Sequence, residues 1–401
     1  MPLETLSAPW TEWEVLLMHR LKIQQIFDAA WKDYSASFCT SPVQRKAAAS
    51  IIACKSGTLG CNVSACKDCG HVEIHNNSCR NRNCPNCQAL LKELWIDARK
   101  AEVIDAPYFH VVFTIPAQLN PLVYANQDLL YSLLHKCSAH TLLELAADKK
   151  YLGAVPGIIQ VLHTWGQELN FHPHIHCIVS GGGLSKSMQL ITCKNRFFIP
   201  AKVLASKFRG KFLASLNALH KAGKLSFSDS CASLQDSVSW AQLRDSLYNT
   251  AWCPEIRETF NGFGNAIEYL GRYANRIAIT NARIKSVSQD SVSFTAKDYR
   301  HNSVIKDVTL SNTEFIRRFM MHVLPPGFRK IRYYGFLNNR SRKKNLSTIF
   351  RIQGHQRFKA SLSGLPMDEV LQKVWGFNVR ICPVCGRPSM RPLGKSYTLK
   401  A

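Results

Sequence analysis

The sequence predicts an α+β protein with a cysteine-rich module before the main domain and a strongly basic region after it. Three observations lead to this prediction: strand-like runs interleave with segments of helical periodicity, cysteines concentrate between positions 61 and 87, and positive charge accumulates in the last quarter. The 401 residues, 46% of them hydrophobic, suffice for two or three domains of roughly 150 residues and exclude a disordered chain. We place the boundaries so that the segments are 1–104, 105–311 and 312–401.

The first segment joins helices to the cysteine-rich stretch. Trp13, Leu17 and Leu21 recur at helical spacing and predict a helix over 10–36. The cysteine-rich stretch has the composition of loops, and a second helix is predicted over 88–104.

The cysteines of this segment indicate a metal site. The chain has 15 cysteines and starts without a secretory signal, so we expect a reducing, cytoplasmic compartment and metal binding instead of disulfides. Two CxxC knuckles, Cys66 with Cys69 and Cys84 with Cys87, predict one tetrahedral Zn²⁺ site of structural character. Cys79 lies between them, which leaves a second ion or an exchanged ligand open. Further potential ligands nearby are Cys61, His71 and His75.

A third CxxC pair, Cys382 with Cys385, lies near the C-terminus. No second pair accompanies it there. It is therefore either half of a metal site that is completed elsewhere or a simple turn.

The second segment carries the strongest strand signals. Strands are predicted over 108–115, 158–163 and 174–179, helices over 121–148, 201–250 and 265–275, and a hairpin over 276–287 and 291–297. The helical stretch 201–250 is an insertion that separates the strands from the later elements.

One predicted strand carries alternate histidines. His174 and His176 project from the same face of the strand, because side chains alternate between its two faces, so both imidazoles can share a metal ion. Gln167 lies seven residues before His174, and a turn between paired strands would bring its amide oxygen to the same ion. Such a set leaves coordination positions open for phosphate and water, as a catalytic ion requires. The residue types alone do not settle which ion binds.

The predicted helix over 265–275 carries two tyrosines. Tyr269 and Tyr273 are four residues apart, so their rings lie on one helix face, with Arg272 and Arg276 on a neighbouring stripe. A phenol with a pKa of about 10 is a poor nucleophile until cations or a metal assist it. In most proteins such a pair of tyrosines would be expected in an aromatic core. Because this chain also has the histidine strand and the basic region, the pair is interpreted as two nucleophiles.

The third segment is basic enough to bind a polyanion. Residues 300–401 contain 20 Lys and Arg against 4 Asp and Glu, so this quarter carries +16 of the net +24. The candidate DNA-binding residues are Arg329, Lys330, Arg332, Arg340, Arg342, Lys343 and Lys344. Tyr333, Tyr334 and Phe336 lie among them and are expected to stack on unpaired bases. No apolar run is long enough to span a membrane.

Taken together, these motifs resemble one known family, the rolling-circle insertion-sequence transposases of the two-tyrosine HUH class (the IS91-type family). The matching motifs are CKDCGH at 66–71, SCRNRNCPNC at 78–87, FHVVFTIP at 109–116, LHTWGQ at 162–167, HPHIH at 172–176, YLGRY at 269–273 and LPPGF at 324–328. They follow the family's order over about residues 60 to 340.

The resemblance implies an N-terminal zinc-binding domain and a HUH nuclease domain on an antiparallel sheet. It implies that His174 and His176 bind Mg²⁺ or Mn²⁺, with Gln167 as a third ligand, and that Tyr269 and Tyr273 attack single-stranded DNA. The expected product is a 5′-phosphotyrosine with a free 3′-OH, which drives rolling-circle transposition of a mobile element in the bacterial cytoplasm.

Two other functions remain open on the sequence. A replication initiator or relaxase would use the same chemistry, and a zinc-containing DNA-binding regulator would bind DNA without cutting it. The oligomeric state is also left open. The zinc module and the motif over 324–328 favour the transposase over an initiator or relaxase, and the presence of His174, His176 and both tyrosines argues against a regulator that does not cut DNA.

Overall fold

The structure is a computed structural model that describes residues 22–193, 199–252, 254–258, 267, 271, 278–298, 303–354 and 359–394. This part of the chain is α+β, and its three sheets are antiparallel, as predicted. The helices are α1 (Lys22–Ser37), α2 (Pro42–Ala53), α3 (Ala89–Lys100), α4 (Asn120–Ala125), α5 (Gln127–Ala147), α6 (Ala201–Lys221), α7 (Ser237–Asn249), α8 (Asn312–Met320), α9 (Arg342–Ile352) and α10 (Met367–Trp375). The strands are β1 (Cys61–Cys66), β2 (Val72–Asn76), β3 (Tyr108–Thr114), β4 (Val155–Trp165), β5 (Phe171–Leu184), β6 (Leu190–Thr192), β7 (Glu255–Glu258), β8 (Ile284–Val287), β9 (Ser291–Asp298), β10 (Val304–Ser311), β11 (Ile331–Gly335) and β12 (Met390–Pro392).

The central sheet has the order β11-β4-β5-β3-β7, with β6 paired to the far end of β5. The three predicted strands are β3, β4 and β5. The helical stretch predicted over 201–250 contains α6 and α7. Strands β4 and β5 are longer than predicted, because their pairing continues from Trp165 opposite Phe171 to Val155 opposite Leu184. This long hairpin forms the middle of the sheet. Among the described residues, no helix has both the length and the apolar character needed to cross a membrane.

The two faces of the central sheet pack against different helices. On one face Phe113, Leu162 and Ile175 are buried together with residues of α5, α6 and α7. On the opposite face Val161 and Ile178 are buried together with residues of α3 and α9. Because side chains alternate along each strand, any residue of β4 or β5 can be assigned to one face by its position.

Strand β11 corrects part of the sequence interpretation. Tyr333 and Tyr334, which were expected to stack on unpaired bases, lie in this strand. It is an edge strand that pairs with β4, with Tyr333 opposite Ile159. Phe336 follows it and is 2% exposed, so it is a core residue and is not available to a base. Ile331, Tyr333 and Tyr334 are residue types that are enriched in strands, a signal that the density of charge obscured.

A second core joins the N-terminal helices to a later part of the chain. Helices α1 and α2 pack with the sheet β8-β9-β10 and with α8, where Phe27 contacts Phe319 edge to face at 5.4 Å between ring centroids. The predicted hairpin has β10 as an additional strand. This core therefore contains residues from all three predicted segments, 1–104, 105–311 and 312–401.

The cysteine-rich stretch is not all loop. Strands β1 and β2 form a hairpin there, and β12 near the C-terminus pairs with β1, with Met390 opposite Cys66. The chain thus returns at its end to the cysteines near its start.

Replacing Phe336 by Ala tests its assignment to the core. We expect the free energy of unfolding to fall by about 3–5 kcal/mol, because the substitution leaves a cavity among buried side chains. Urea denaturation measures this change, and Tyr248→Ala on the exposed side of α7 is the control, expected to change stability by about 0.5 kcal/mol or less. A base-stacking Phe336 would instead leave stability intact and weaken single-stranded DNA binding.

Candidate active site and metal centres

Three histidines converge on one face of the β4–β5 hairpin. His163 of β4 lies directly opposite His174 of β5, and His176 lies two residues further along β5. The ring centroids are 4.2 Å apart for His163 and His176, 4.9 Å for His174 and His176, and 5.3 Å for His163 and His174. One nitrogen of each ring lies within 4.8 Å of the other two. This is a spacing at which three imidazoles can hold one metal ion.

Hydrogen bonds orient two of these rings. Nδ1 of His174 donates to the backbone carbonyl of His172 at 2.6 Å, so its lone pair is on Nε2. Nδ1 of His176 lies 2.8 Å from Nε2 of His110 on β3, and the two rings are stacked. In both rings Nε2 is therefore the nitrogen left for a metal. Partners of this kind fix the ring orientation of metal-ligating histidines.

Burial keeps the His174 ring uncharged. It lowers the pKa of His174 to about 3, and the nearby His172 and His110 add to the effect. His174 is therefore neutral at physiological pH. Neutral imidazole is the form that binds metals, so protons do not compete for this site near pH 7.

An aromatic residue and a cation lie beside the cluster. Trp165 stacks on His163 with ring centroids 4.7 Å apart, and Nζ of Lys330 lies 4.8 Å from the centroid of the Trp165 ring. Trp165 is only partly buried. The pair combines the two groups that contact an unpaired nucleotide, a stacking surface and a positive charge.

The predicted metal ligands on the hairpin are two histidines of β5 and Gln167, and their role stays a prediction. His174 and His176 come together, and Gln167 lies in the turn between β4 and β5, where its backbone carbonyl accepts a hydrogen bond from Arg283. Its role as a ligand remains a prediction. The sequence interpretation missed His163, whose position depends on the register of the hairpin. The signal available was its place in a strand shortly before the turn.

The predicted nucleophiles Tyr269 and Tyr273, with Arg272 and Arg276, lie outside the described residues. Their neighbours in sequence, Ile267 and Gly271, are helical and buried. Ile267 packs with Ile96 of α3 and with Ile178 of β5. A Cβ atom added to Gly271 would lie 2.3 Å from Cγ1 of Ile96. Ile267 and Gly271 therefore lie against α3 on the sheet face that carries the three histidines.

The cysteines form two groups, which corrects the prediction of one shared zinc site. Cys84 and Cys87 lie with Cys54 and Cys79, where Sγ of Cys87 is 3.4 Å from that of Cys54 and 3.6 Å from that of Cys79. Cys66 and Cys69 lie instead with Cys382 and Cys385. The reason is structural: β12 carries the C-terminal knuckle to β1, whereas the second knuckle packs at the end of α2, which Cys54 caps. The C-terminal pair Cys382 and Cys385 thus supplies two of the four sulfur atoms of this group, and Cys66 and Cys69 supply the other two.

The candidate DNA-binding residues occupy different environments. Arg329, Arg340, Lys343 and Lys344 are exposed, as a phosphate-binding surface requires. Arg332 lies against the Phe328 ring and donates to the hydroxyl of Ser132. Arg342 lies over the Tyr333 ring and pairs with Glu102 at 3.4 Å. These two arginines therefore also hold the fold together.

Comparison with known proteins agrees with this arrangement. A family model described as a transposase zinc-binding domain matches residues 26–115, and one described as a putative transposase matches residues 157–345. The chain is 40% identical over 373 residues to the putative transposase y4qJ of Sinorhizobium fredii, covering 92% of this chain and 94% of the relative. The chain belongs to the IS91 family of transposases. This IS91-family transposase is also 30% identical over 294 residues to the transposase for insertion sequence element IS801 of Pseudomonas savastanoi pv. phaseolicola, covering 72% and 69% of the two chains. No solved structure matches it.

Membership of this family gives the coarse function. A transposase cuts and joins DNA, so DNA is a partner of this protein. The zinc-binding domain contains six of the eight cysteines that form the two groups. The central sheet with the three histidines lies largely within the transposase match.

Replacing His110 tests whether it positions His176. His110→Phe removes the hydrogen bond to Nδ1 of His176, and we expect the affinity of the zinc-loaded protein for Mn²⁺ to fall about ten- to hundredfold. His110→Gln, which can still reach that nitrogen, should retain most of the affinity. The loss of the free Mn²⁺ signal in electron paramagnetic resonance measures binding, and His140→Phe on the exposed side of α5 is the control. Equal affinity for His110→Phe and the unsubstituted protein would contradict this role.

Proposed function

We propose that this transposase is a metal-dependent HUH endonuclease and strand transferase that acts on single-stranded DNA. It would cut through a 5′-phosphotyrosine intermediate and drive rolling-circle transposition of its element. One observation carries the proposal: the three histidines lie on the sheet face against which Ile267 and Gly271 pack. Tyr269 lies between those two residues in sequence.

The donor set fits a divalent cation with open coordination positions. His163, His174 and His176 offer three imidazole nitrogens within 4.8 Å of one another, and a divalent ion held by them would have further positions for water and phosphate oxygen. Of the two ions predicted, Mn²⁺ suits such a set better, because Mg²⁺ strongly prefers oxygen ligands. Gln167 would contribute an amide oxygen from the adjoining turn. When bound, the cation would polarise the scissile phosphate and neutralise charge that develops on it.

The tyrosines would supply the covalent step. The phenolic oxygen of Tyr269 or Tyr273 attacks phosphorus, the bond from phosphorus to the 3′ oxygen breaks, and that oxygen takes up a proton while the phenol loses one. The fragment upstream of the cut then ends in a free 3′-OH. The 5′ end of the downstream fragment is held as a phosphotyrosine. Attack by a 3′-OH on the ester reverses the step and joins strands without ATP. Arg272 and Arg276 would balance charge on the phosphate.

The surroundings of the histidines suit an unpaired strand. Trp165 offers a ring face and Lys330 a charge next to His163, a combination that binds single strands with little dependence on sequence. The exposed Arg340, Lys343 and Lys344 would extend the contact along the phosphate backbone.

The group Cys54, Cys79, Cys84 and Cys87 would hold a structural Zn²⁺ ion. All four belong to the part of the chain that matches the zinc-binding domain, and their sulfur atoms lie within 4.8 Å of one another. Four thiolates fill a tetrahedral shell, so this ion would stabilise the domain and take no part in cutting.

Replacing both tyrosines tests the nucleophile assignment. We expect the double substitution Tyr269→Phe with Tyr273→Phe to abolish covalent protein–DNA complexes, because no phenolic oxygen remains to attack. The measurement is denaturing gel electrophoresis after incubation of a labelled single strand from the element's end with Mn²⁺. His174→Ala should also abolish the complexes while the zinc content, measured by mass spectrometry, stays unchanged. A covalent complex in the double variant would show that another residue is the nucleophile.

Substitution at Gly271 tests the packing of the tyrosine segment. Gly271→Ala places a methyl group against Ile96, and the displacement should slow formation of the covalent complex about ten- to hundredfold. Adding Ile96→Ala removes the clash and should restore most of the rate.

Gly210→Ala in α6 is the matched control, because an added Cβ meets nothing within 4 Å there, so the rate should not change. If Ile96→Ala does not rescue Gly271→Ala, the segment does not depend on this contact for its position.

A further inference from the structure

The second group of cysteines joins two parts of the chain that are remote in sequence. Cys66 is the last residue of β1, Cys69 lies in the turn that follows, and Cys382 and Cys385 precede β12. Sγ of Cys66 is 3.6 Å from Sγ of Cys385, and Sγ of Cys69 is 3.6 Å from Sγ of Cys382. All four sulfur atoms lie within 4.8 Å of one another. Zinc–sulfur bonds of about 2.3 Å in a tetrahedron put the sulfur atoms about 3.8 Å apart, so the observed spacing is that of a zinc site.

The two knuckles have the same backbone structure. In the first, the N–H of Cys66 donates to the carbonyl of residue 71, and the N–H of Gly70 donates to the carbonyl of Cys66. In the second, the N–H of Cys382 donates to the carbonyl of residue 387, and the N–H of Gly386 donates to the carbonyl of Cys382. The glycines have φ values of 72° and 70°, which a residue with a side chain rarely adopts. Two matching CxxCG turns that face each other present four thiols to one point.

Neighbouring polar groups suit thiolates at this point. The N–H of Cys69 points to Sγ of Cys66 at 3.5 Å, and the hydroxyl of Ser389 lies 3.0 Å from the same sulfur. None of the four cysteines is in a disulfide. Thiolates that accept such hydrogen bonds are stabilised as metal ligands.

The C-terminal segment has little else to hold it against the zinc-binding domain. Strand β12 has three residues, and among the described residues the buried cluster around it consists of Cys66, Cys382 and Met390, with Cys385 packed against it. A core of this size contributes far less than a structural zinc ion, without which small zinc domains do not fold. A metal would therefore add much of the stability with which the segment after α10 is held in place.

We infer that Cys66, Cys69, Cys382 and Cys385 bind a second structural Zn²⁺ ion, which fastens the C-terminal segment to the zinc-binding domain. This ion is separate from the one proposed at Cys54, Cys79, Cys84 and Cys87. It is also independent of the histidine cluster, so the inference does not rest on the proposed cutting mechanism. The C-terminal pair lies outside both family matches, which end at residues 115 and 345.

Zinc content of the full chain tests the inference. The variant Cys382→Ser with Cys385→Ser should contain one zinc per chain less than the unsubstituted protein, as measured by mass spectrometry against protein concentration. Cys84→Ser with Cys87→Ser should lose the other one, and the control Cys39→Ser with Cys193→Ser should lose none. Unchanged zinc content in the Cys382 and Cys385 variant would overturn the inference, whatever the outcome of the cutting assays.

A second measurement uses the unsubstituted protein and so does not depend on whether a variant folds. Replacing zinc by Co²⁺ produces thiolate-to-cobalt absorption whose intensity counts the sulfur ligands. Intensity for eight thiolates per chain supports the two separate sites, and intensity for four overturns the second one. Chelation of the metal should also make the C-terminal segment sensitive to protease, and resistance after complete metal removal would contradict the fastening role.

Discussion

The register of the β4–β5 hairpin is the constraint on which the candidate active site depends. His163 and His174 meet because they are directly opposite each other, and His176 joins them because alternate residues share a face. If the register of one strand shifted by one residue, the histidines of that strand would point to the opposite face of the sheet. Leu162 and Ile175, buried on that opposite face, oppose such a slip because they would lose their apolar surroundings. The apolar packing of one face thus fixes the positions of the three histidines on the other.

Burying imidazoles on a sheet face has an energetic cost that the surrounding contacts reduce. A charged histidine there would lack water, so burial holds His174 neutral. The carbonyl of His172 and the ring of His110 each satisfy one polar atom of a ligand. One nitrogen of each of His163, His174 and His176 lies within 4.8 Å of the other two, and a cation is a group that would bind all three at once. The same contacts therefore reduce the cost of burial and would orient the rings toward such a cation.

The sequence could predict the features that depend on residues close together in the chain. It could not predict those that depend on contacts between residues far apart in the chain. The helices α3 and α5 and the strands β3 to β5 follow from local periodicity, and so does the shared face of His174 and His176. The role of His163 depends on pairing between strands, which periodicity does not reveal. Strand β11 was hidden because its charges and aromatic residues also fit a nucleic-acid surface. The division of the cysteines was missed because proximity in sequence was taken as proximity in space.

The division of the cysteines shows why proximity in sequence is a weak guide to zinc ligands in a folded chain. Cys69 and Cys382 are 313 residues apart, whereas Cys69 and Cys84 are close in sequence. Closing a loop roughly twenty times longer costs only about 3 kcal/mol more, since the cost grows with the logarithm of length. A structural zinc ion contributes about 10 kcal/mol or more. Either pairing of knuckles would gain that contribution, so the additional loop cost must be offset by the elements that carry the knuckles: β1 paired with β12 for one group, and the end of α2 for the other.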